Sequence, residues 1–198
     1  RVQDAVVYPG AAYLEMALAA ASALLDGAAC TLRDIAFVDA LALRADVDPV
    51  LQLVVVREGA ERQRFQVASR ESQAAAAAWR VHARGLIGAA DRAAALARLD
   101  LAGLQRQLGP AEAGEQVYAG LAELGLNYGP AFRGLLSLYA DGGEALGHVR
   151  LPAAAEGTEG FLFHPALLDS CFHVLACALR TGDKRPWLPV RVRELQLF

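Results

Sequence analysis

Asp169 and His173 stand four residues apart in the run His164-Pro165-Ala166-Leu167-Leu168-Asp169-Ser170-Cys171-Phe172-His173. On a helix, positions i and i+4 share one face. The carboxyl and the imidazole therefore point the same way from a segment otherwise made of Leu167, Leu168, Phe172 and Leu175. A carboxyl group on an apolar wall is costly to keep charged unless it is paired, so desolvation favours the neutral acid. A carboxylic acid held in that state can give its proton to a leaving group, which is general acid catalysis. The same spacing also occurs as an ordinary helix-surface hydrogen bond, with no chemistry attached.

A proline at the first helical turn and a polar lead-in predict that the segment 166–179 is a long apolar helix. A second such helix is predicted from Pro9-Gly10 to about Leu25, ended by Asp26-Gly27. Strand patterns follow it at 32–43, 50–57, 64–70 and 79–87, with turn signals at 46–49 and Glu58-Gly59. The stretch 88–110 is rich in alanine, arginine and leucine, without aromatics, and reads as a partly helical linker. Beyond it come a short amphipathic helix at 113–124, with Val117, Tyr118, Leu121 and Leu124 on one side, and a hairpin around Asp141-Gly142-Gly143. The strand 190–198 ends the chain. A helix that is apolar all round must be buried, so each long helix is expected to be wrapped by its own antiparallel sheet. Two such units make a pseudo-dimer of class α+β. The abrupt start and end predict a piece excised from a longer polypeptide.

Of the 198 residues, 55% are hydrophobic, and the excess is alanine. No apolar run approaches the roughly 20 residues of a membrane span, and no signal peptide pattern opens the chain, so no membrane is expected. A formal net charge of −3 with no basic stripe argues against nucleic acid as a partner. Cys30, Cys171 and Cys177 show no ligand spacing and read as buried thiols in a reducing cytoplasm. No His/Cys/Asp cluster has metal spacing, and 125–130 lacks the Lys and Ser/Thr of a phosphate loop.

Three motifs resemble the dehydratase domains of modular type I polyketide synthases. The first is H-x-x-x-G-x-x-x-x-P: Arg1 to Pro9 fits the part after its histidine, with Asp4 at the glycine position, and Gly10 to Met16 looks like the family's helix start. The second is G-Y-x-Y-G-P-x-F, matched by Gly125-Leu126-Asn127-Tyr128-Gly129-Pro130-Ala131-Phe132 with leucine for the first tyrosine. The third is D-x-x-x-Q/H, matched by Asp169 to His173. Leu188-Pro189-Val190 is similar to a further L-P-F segment, with valine for phenylalanine.

The resemblance implies a double hot-dog fold: an N-terminal hot-dog at 1–88 without its first strand, a linker at 89–110, and a C-terminal hot-dog at 111–198 without its last strands. It implies dehydration of a β-hydroxyacyl thioester to the α,β-unsaturated product, with the substrate on the phosphopantetheine arm of an acyl carrier protein and no added cofactor. The two helices would each contribute one catalytic group. The catalytic histidine falls immediately before Arg1 and would take the α-proton. Asp169 would protonate the departing β-hydroxyl. His173 would orient Asp169 or bond the leaving water, or else pack against a backbone carbonyl. On the substrate side stand Gly10, whose helix-start N–H groups would receive the thioester carbonyl or which only turns the chain into the helix, Pro9, which sets the local conformation, and Tyr128, which would shape the acyl tunnel, with Gly129 and Pro130 as the turn that places it. His164 reads as a helix-flanking contact, His82 and His148 as structural, and Glu15 as solvated. Acyl carrier protein, neighbouring synthase domains and a second copy in a homodimer are the implied partners. Double-bond migration, pyran-forming ring closure, product-template cyclisation and a non-catalytic dehydratase-like domain are the competing readings.

Overall fold

Pro9 sits in extended backbone at φ −69° and opens α1 (Gly10–Leu24). The helix stops where Asp26 and Gly27 turn left-handed, at φ 50° and 76°. There the Gly27 N–H donates to the Ser22 carbonyl at 2.8 Å, which satisfies one of the last helical acceptors. The structure, a computed structural model, describes residues 1–58, 62–72, 78–90, 99–155, 157, 159–179 and 187–197. Gly59 of the expected turn, 91–98 of the expected linker and Phe198 lie outside the described residues.

The chain divides into two units, Ala5–Ala95 with Pro189–Phe198, and Arg1–Asp4 with Leu96–Leu188. In the first, β1 (Val6–Val7), β2 (Cys30–Phe37), β3 (Ala42–Leu43), β4 (Pro49–Glu58), β5 (Arg62–Glu71) and β6 (Arg80–Ala89) join β10 (Arg191–Leu197). Five of these make one antiparallel sheet in the order β10-β2-β6-β5-β4, and β1 pairs with β3. The sheet and α1 meet over a dry core in which Leu14, Leu18, Leu32, Ile35, Phe65 and Val67 are buried. Gly85 makes room for the Phe65 ring, because a Cβ there would come within 2.7 Å of it.

The second unit holds α2 (Leu101–Gln107), β7 (Glu112–Ala113), α3 (Gly114–Glu123), β8 (Leu135–Asp141), β9 (Glu144–Val149) and α4 (Pro165–Ala178). Its sheet order is β7-β8-β9. The hairpin turns on Gly142 and Gly143, both left-handed at φ 57° and 87°, as a two-residue hairpin loop of matching twist requires. Val117, Tyr118 and Leu121 on α3 close over Leu126, Leu135, Leu138 and Cys177.

Four sequence expectations change. β10, grouped by sequence with 111–188, pairs with β2 through Leu195↔Leu32 and its neighbours. A strand's periodicity shows which face is apolar but not which edge it joins. The first four residues likewise belong with 96–188. The segment 32–43 is not one strand: β2 ends at Phe37 and β3 takes up again at Ala42. Glu15, expected to be solvated, is buried at 5% exposure, in the run Ala11–Glu15 at the start of α1 where every residue is buried.

Glycines set how closely α4 approaches its sheet. A Cβ on Gly134 would come within 2.7 Å of the Arg150 carbonyl and 2.5 Å of Ser170 Oγ, and one on Gly147 would collide with Val174. Gly134→Ala is therefore expected to cost about 1–3 kcal/mol through overpacking. Gly120→Ala in α3, where a Cβ meets nothing within 4 Å, is expected to gain about 0.5–1 kcal/mol from helix propensity. Denaturant unfolding of the two variants checks this, and equal shifts would contradict the close approach.

Candidate active site

His164 caps α4: its Nδ1 accepts the Ala166 N–H at 3.1 Å, and Pro165 fills the first helical turn, where a missing N–H costs nothing. The helix so begun carries Asp169, Ser170 and His173 toward α3 and the loop before β8. His173 is 3% exposed, and its Nε2 lies 3.1 Å from Asp169 Oδ2. The Asp169 side chain keeps 16% of its surface, so the carboxyl stands at the rim of a buried wall with one oxygen engaged. The helix-face expectation for Asp169 and His173 is met in the geometry.

The far side of the imidazole meets Tyr118. Its hydroxyl lies 3.2 Å from His173 Nδ1, accepts the Leu135 N–H at 3.0 Å and is 3.3 Å from the Phe132 carbonyl. Tyr128 covers the ring from another side, with centroids 4.1 Å apart. Burial pushes the phenols of Tyr118 and Tyr128 up, so both remain protonated at neutral pH. Burial also pushes the Cys171 thiol up, away from the thiolate a nucleophile needs.

Gly129 and Pro130 lead into a single 3₁₀ turn, Pro130–Phe132, closed by the Phe132 N–H to the Gly129 carbonyl at 2.9 Å. That turn aims the Phe132 carbonyl at Tyr118, and Arg133 Nε donates to the Tyr128 carbonyl at 2.9 Å. Upstream, Arg1 and Asn127 exchange N–H···O contacts of 2.5 and 2.9 Å around the antiparallel bridge Val2↔Leu126. The left-handed residue of the turn that follows is Gln3, at φ 51°. Asp4 is not among the left-handed residues, so aspartate at the motif's glycine position brings no such strain. Pro9 and Gly10 lie in the other unit, where a Cβ on Gly10 would come within 3.2 Å of the Phe37 ring.

Sequence reasoning missed Tyr118, which periodicity marks only as a core position. It treated His82 as structural without finding its partners. His82 is fully buried, with Nδ1 3.1 Å from the Asp39 carbonyl, Nε2 2.7 Å from Ser69 Oγ, and the Tyr13 ring stacked on it at 5.9 Å. The carbonyl contact puts the ring proton on Nδ1, so Nε2 accepts from the serine. His148 lies exposed on β9. Among the described residues no group of three His, Cys, Asp or Glu could hold a metal ion, and no helix is long and apolar enough to cross a membrane.

Two apolar helices with antiparallel sheets define a double hot-dog. Solved dehydratase domains of that fold superimpose closely. The domain from the CurF module of curacin polyketide synthase gives a TM-score of 0.90 at 26% identity, over 100% of this chain and 72% of that one. The domain of a mycocerosic acid synthase-like polyketide synthase gives 0.83 at 28%, over 98% and 68%. Residues 96–198 match the family described as polyketide synthase dehydratase N-terminal domain, and residues 1–70 match the polyketide synthase dehydratase domain. The chain belongs to the polyketide synthase dehydratase family. It is 35% identical over 179 residues to mycoketide-CoA synthase of Mycobacterium tuberculosis, and 35% identical over 190 residues to the spectinabilin polyketide synthase system protein NorA' of Streptomyces orinoci. These alignments take in 89% and 93% of this chain but only 4% and 5% of those far longer proteins.

Ser69→Ala would leave His82 Nε2 buried without its donor. A loss of about 1–3 kcal/mol is expected in thermal or denaturant unfolding. Unchanged stability would show that the Ser69–His82 contact does not help to hold this core together.

Proposed function

We propose that this chain removes water from a β-hydroxyacyl thioester to give the α,β-unsaturated acyl thioester, with the substrate carried on the phosphopantetheine arm of an acyl carrier protein. The observation that carries the reading is the Asp169 carboxyl at the rim of a dry wall, with Oδ2 engaged by His173 and the other oxygen left to meet a substrate. The carboxylic acid protonates the β-hydroxyl as its C–O bond breaks. A base removes the α-proton, and the electron pair of that C–H bond becomes the new double bond.

The base is the histidine expected immediately before Arg1. The register supports this. With Val2 opposite Leu126 and Arg1 opposite Asn127, the next residue back falls opposite Tyr128, whose ring packs on His173. Solved variants of the CurK dehydratase add support. One carries an Asp→Asn and another a His→Phe substitution, both are described as inactive, and the two positions have nearly the same separation in sequence as Asp169 and the position before Arg1. Tyr128, placed by Gly129-Pro130, lines the acyl path. Pro9 sets the extended lead-in to α1, and the Gly10 N–H at its start is a natural partner of a thioester carbonyl gaining charge. The chemistry needs no added cofactor. Acyl carrier protein, neighbouring synthase domains and a second copy are the partners, in a reducing cytoplasm that suits three free cysteines.

The test is to incubate the full-length protein that carries this chain with a 3-hydroxyacyl thioester on a carrier protein and follow the acyl mass. Loss of one water is expected. Asp169→Asn should slow it by at least about 100-fold, the scale of a positioned acid, with the fold intact by circular dichroism. Near-normal turnover of that variant would remove Asp169 as the acid. An unchanged mass with the wild-type protein would favour an isomerase, a ring-forming enzyme or a carrier-binding domain.

A further inference from the structure

We infer that Tyr118 is a positioning residue that selects the tautomer of His173 and thereby places the proton of Asp169 on the oxygen facing the substrate. The inference rests on the reading of Asp169 as the proton donor.

The hydroxyl of Tyr118 has one proton and four neighbours, Ser170 among them. It accepts the Leu135 N–H at 3.0 Å, which fixes the oxygen in place. Its own proton then goes either to His173 Nδ1 at 3.2 Å or away from the ring, to the Phe132 carbonyl at 3.3 Å or the Ser170 hydroxyl. Tyr118 and His173 are buried at 5% and 3% exposure, so each of these polar atoms depends on its protein partners.

Two arrangements follow, and they differ in what Asp169 can do. When Tyr118 donates to Nδ1, the neutral ring carries its proton on Nε2. The Nε2–H then donates to Asp169 Oδ2, 3.1 Å away. With Oδ2 accepting, the acid proton sits on Oδ1, free to be given to a leaving hydroxyl. When instead Nδ1 carries the proton and donates to the Tyr118 oxygen, Tyr118 turns its own proton to Phe132 or Ser170. The bare Nε2 then draws the acid proton onto Oδ2, where a substrate cannot take it. A ring nitrogen's state is set by the bond its partner nitrogen makes. Here that bond is made by a residue 55 positions away in sequence, on α3.

The balance is testable because glutamine, the alternative residue of the D-x-x-x-Q/H pattern, has an amide donor and no tautomers. Tyr118→Phe is compared in the native background and in His173→Gln, measuring kcat and KM for water loss in the full-length protein, with folding checked by thermal unfolding. In the native background kcat is expected to fall by at least about tenfold, a share of the roughly 10²–10⁴-fold that a positioned acid supplies, with KM little changed. In the His173→Gln background the same substitution should cost no more than about twofold, the limit for uncoupled sites. Equal losses in both backgrounds would mean Tyr118 is only structural and would overturn the inference.

A second measurement needs no variant. Nitrogen-15 NMR of labelled histidine should show His173 of the wild-type protein protonated on Nε2 and bare on Nδ1. The opposite tautomer would also overturn the inference. Asp169→Asn separates the failures: if that variant keeps its activity, the acid reading itself is wrong, whereas its inactivity with equal Tyr118→Phe losses removes Tyr118 alone.

Discussion

A helix that is apolar on most sides can carry polar chemistry only if its few polar groups are satisfied by neighbours brought within hydrogen-bond reach. For α4 this constraint governs the surrounding unit. Gly134 and Gly147 leave no side chain between the helix and the strands beside it, and Arg150 and Val174 fill that space. Ser170, fully buried, bonds back to the Ala166 carbonyl at 2.8 Å and also meets the Tyr118 hydroxyl. His173 has its two ring nitrogens against Asp169 and Tyr118. What is left at the rim is one carboxyl, held on one side only. A buried polar network of this kind is stabilising when every member is paired and expensive when one is not, which ties the fold of the unit to its candidate chemistry.

The motif residues around 125–132 gain a physical reason from the same network. Gly125 is left-handed at φ 80°, and its carbonyl receives the Gln3 N–H at 2.6 Å. Tyr128 then lies against His173, and the 3₁₀ turn after Gly129 brings the Phe132 carbonyl to Tyr118. Leucine at 126, in place of the family's tyrosine, is buried at 3% exposure within the cluster of Val117, Leu121 and Leu138. An aliphatic residue suits that position, so the departure from the pattern is accommodated by packing.

Most elements were legible in the sequence because their signals are local. Alternation gave β4, β5 and β6 to within a few residues, proline opened α1 and α4, Asp26-Gly27 closed α1, and Asp141-Gly142-Gly143 placed the hairpin. The Asp169–His173 pair was legible for the same reason, since i,i+4 is a property of the helix itself. What was not legible depends on chain segments far apart. β10 joins β2 across more than half the chain. Tyr118 looks like any core aromatic until α3 and α4 are placed together, and Ser69 meets His82 only through the pairing of β5 with β6. No periodicity carries such information, because tertiary contact decides it.

The central claim is that Asp169 meets the β-oxygen of a bound acyl thioester. The most direct measurement is a crystal structure of the full-length protein carrying Asp169→Asn, with a 3-hydroxyacyl pantetheine analogue bound. The account predicts the β-oxygen within about 2.6–3.2 Å of the residue-169 side chain, the reach of a proton donor, with His173 still bonded to its other side. A β-oxygen bonded elsewhere, with residue 169 turned away from the acyl chain, would contradict it.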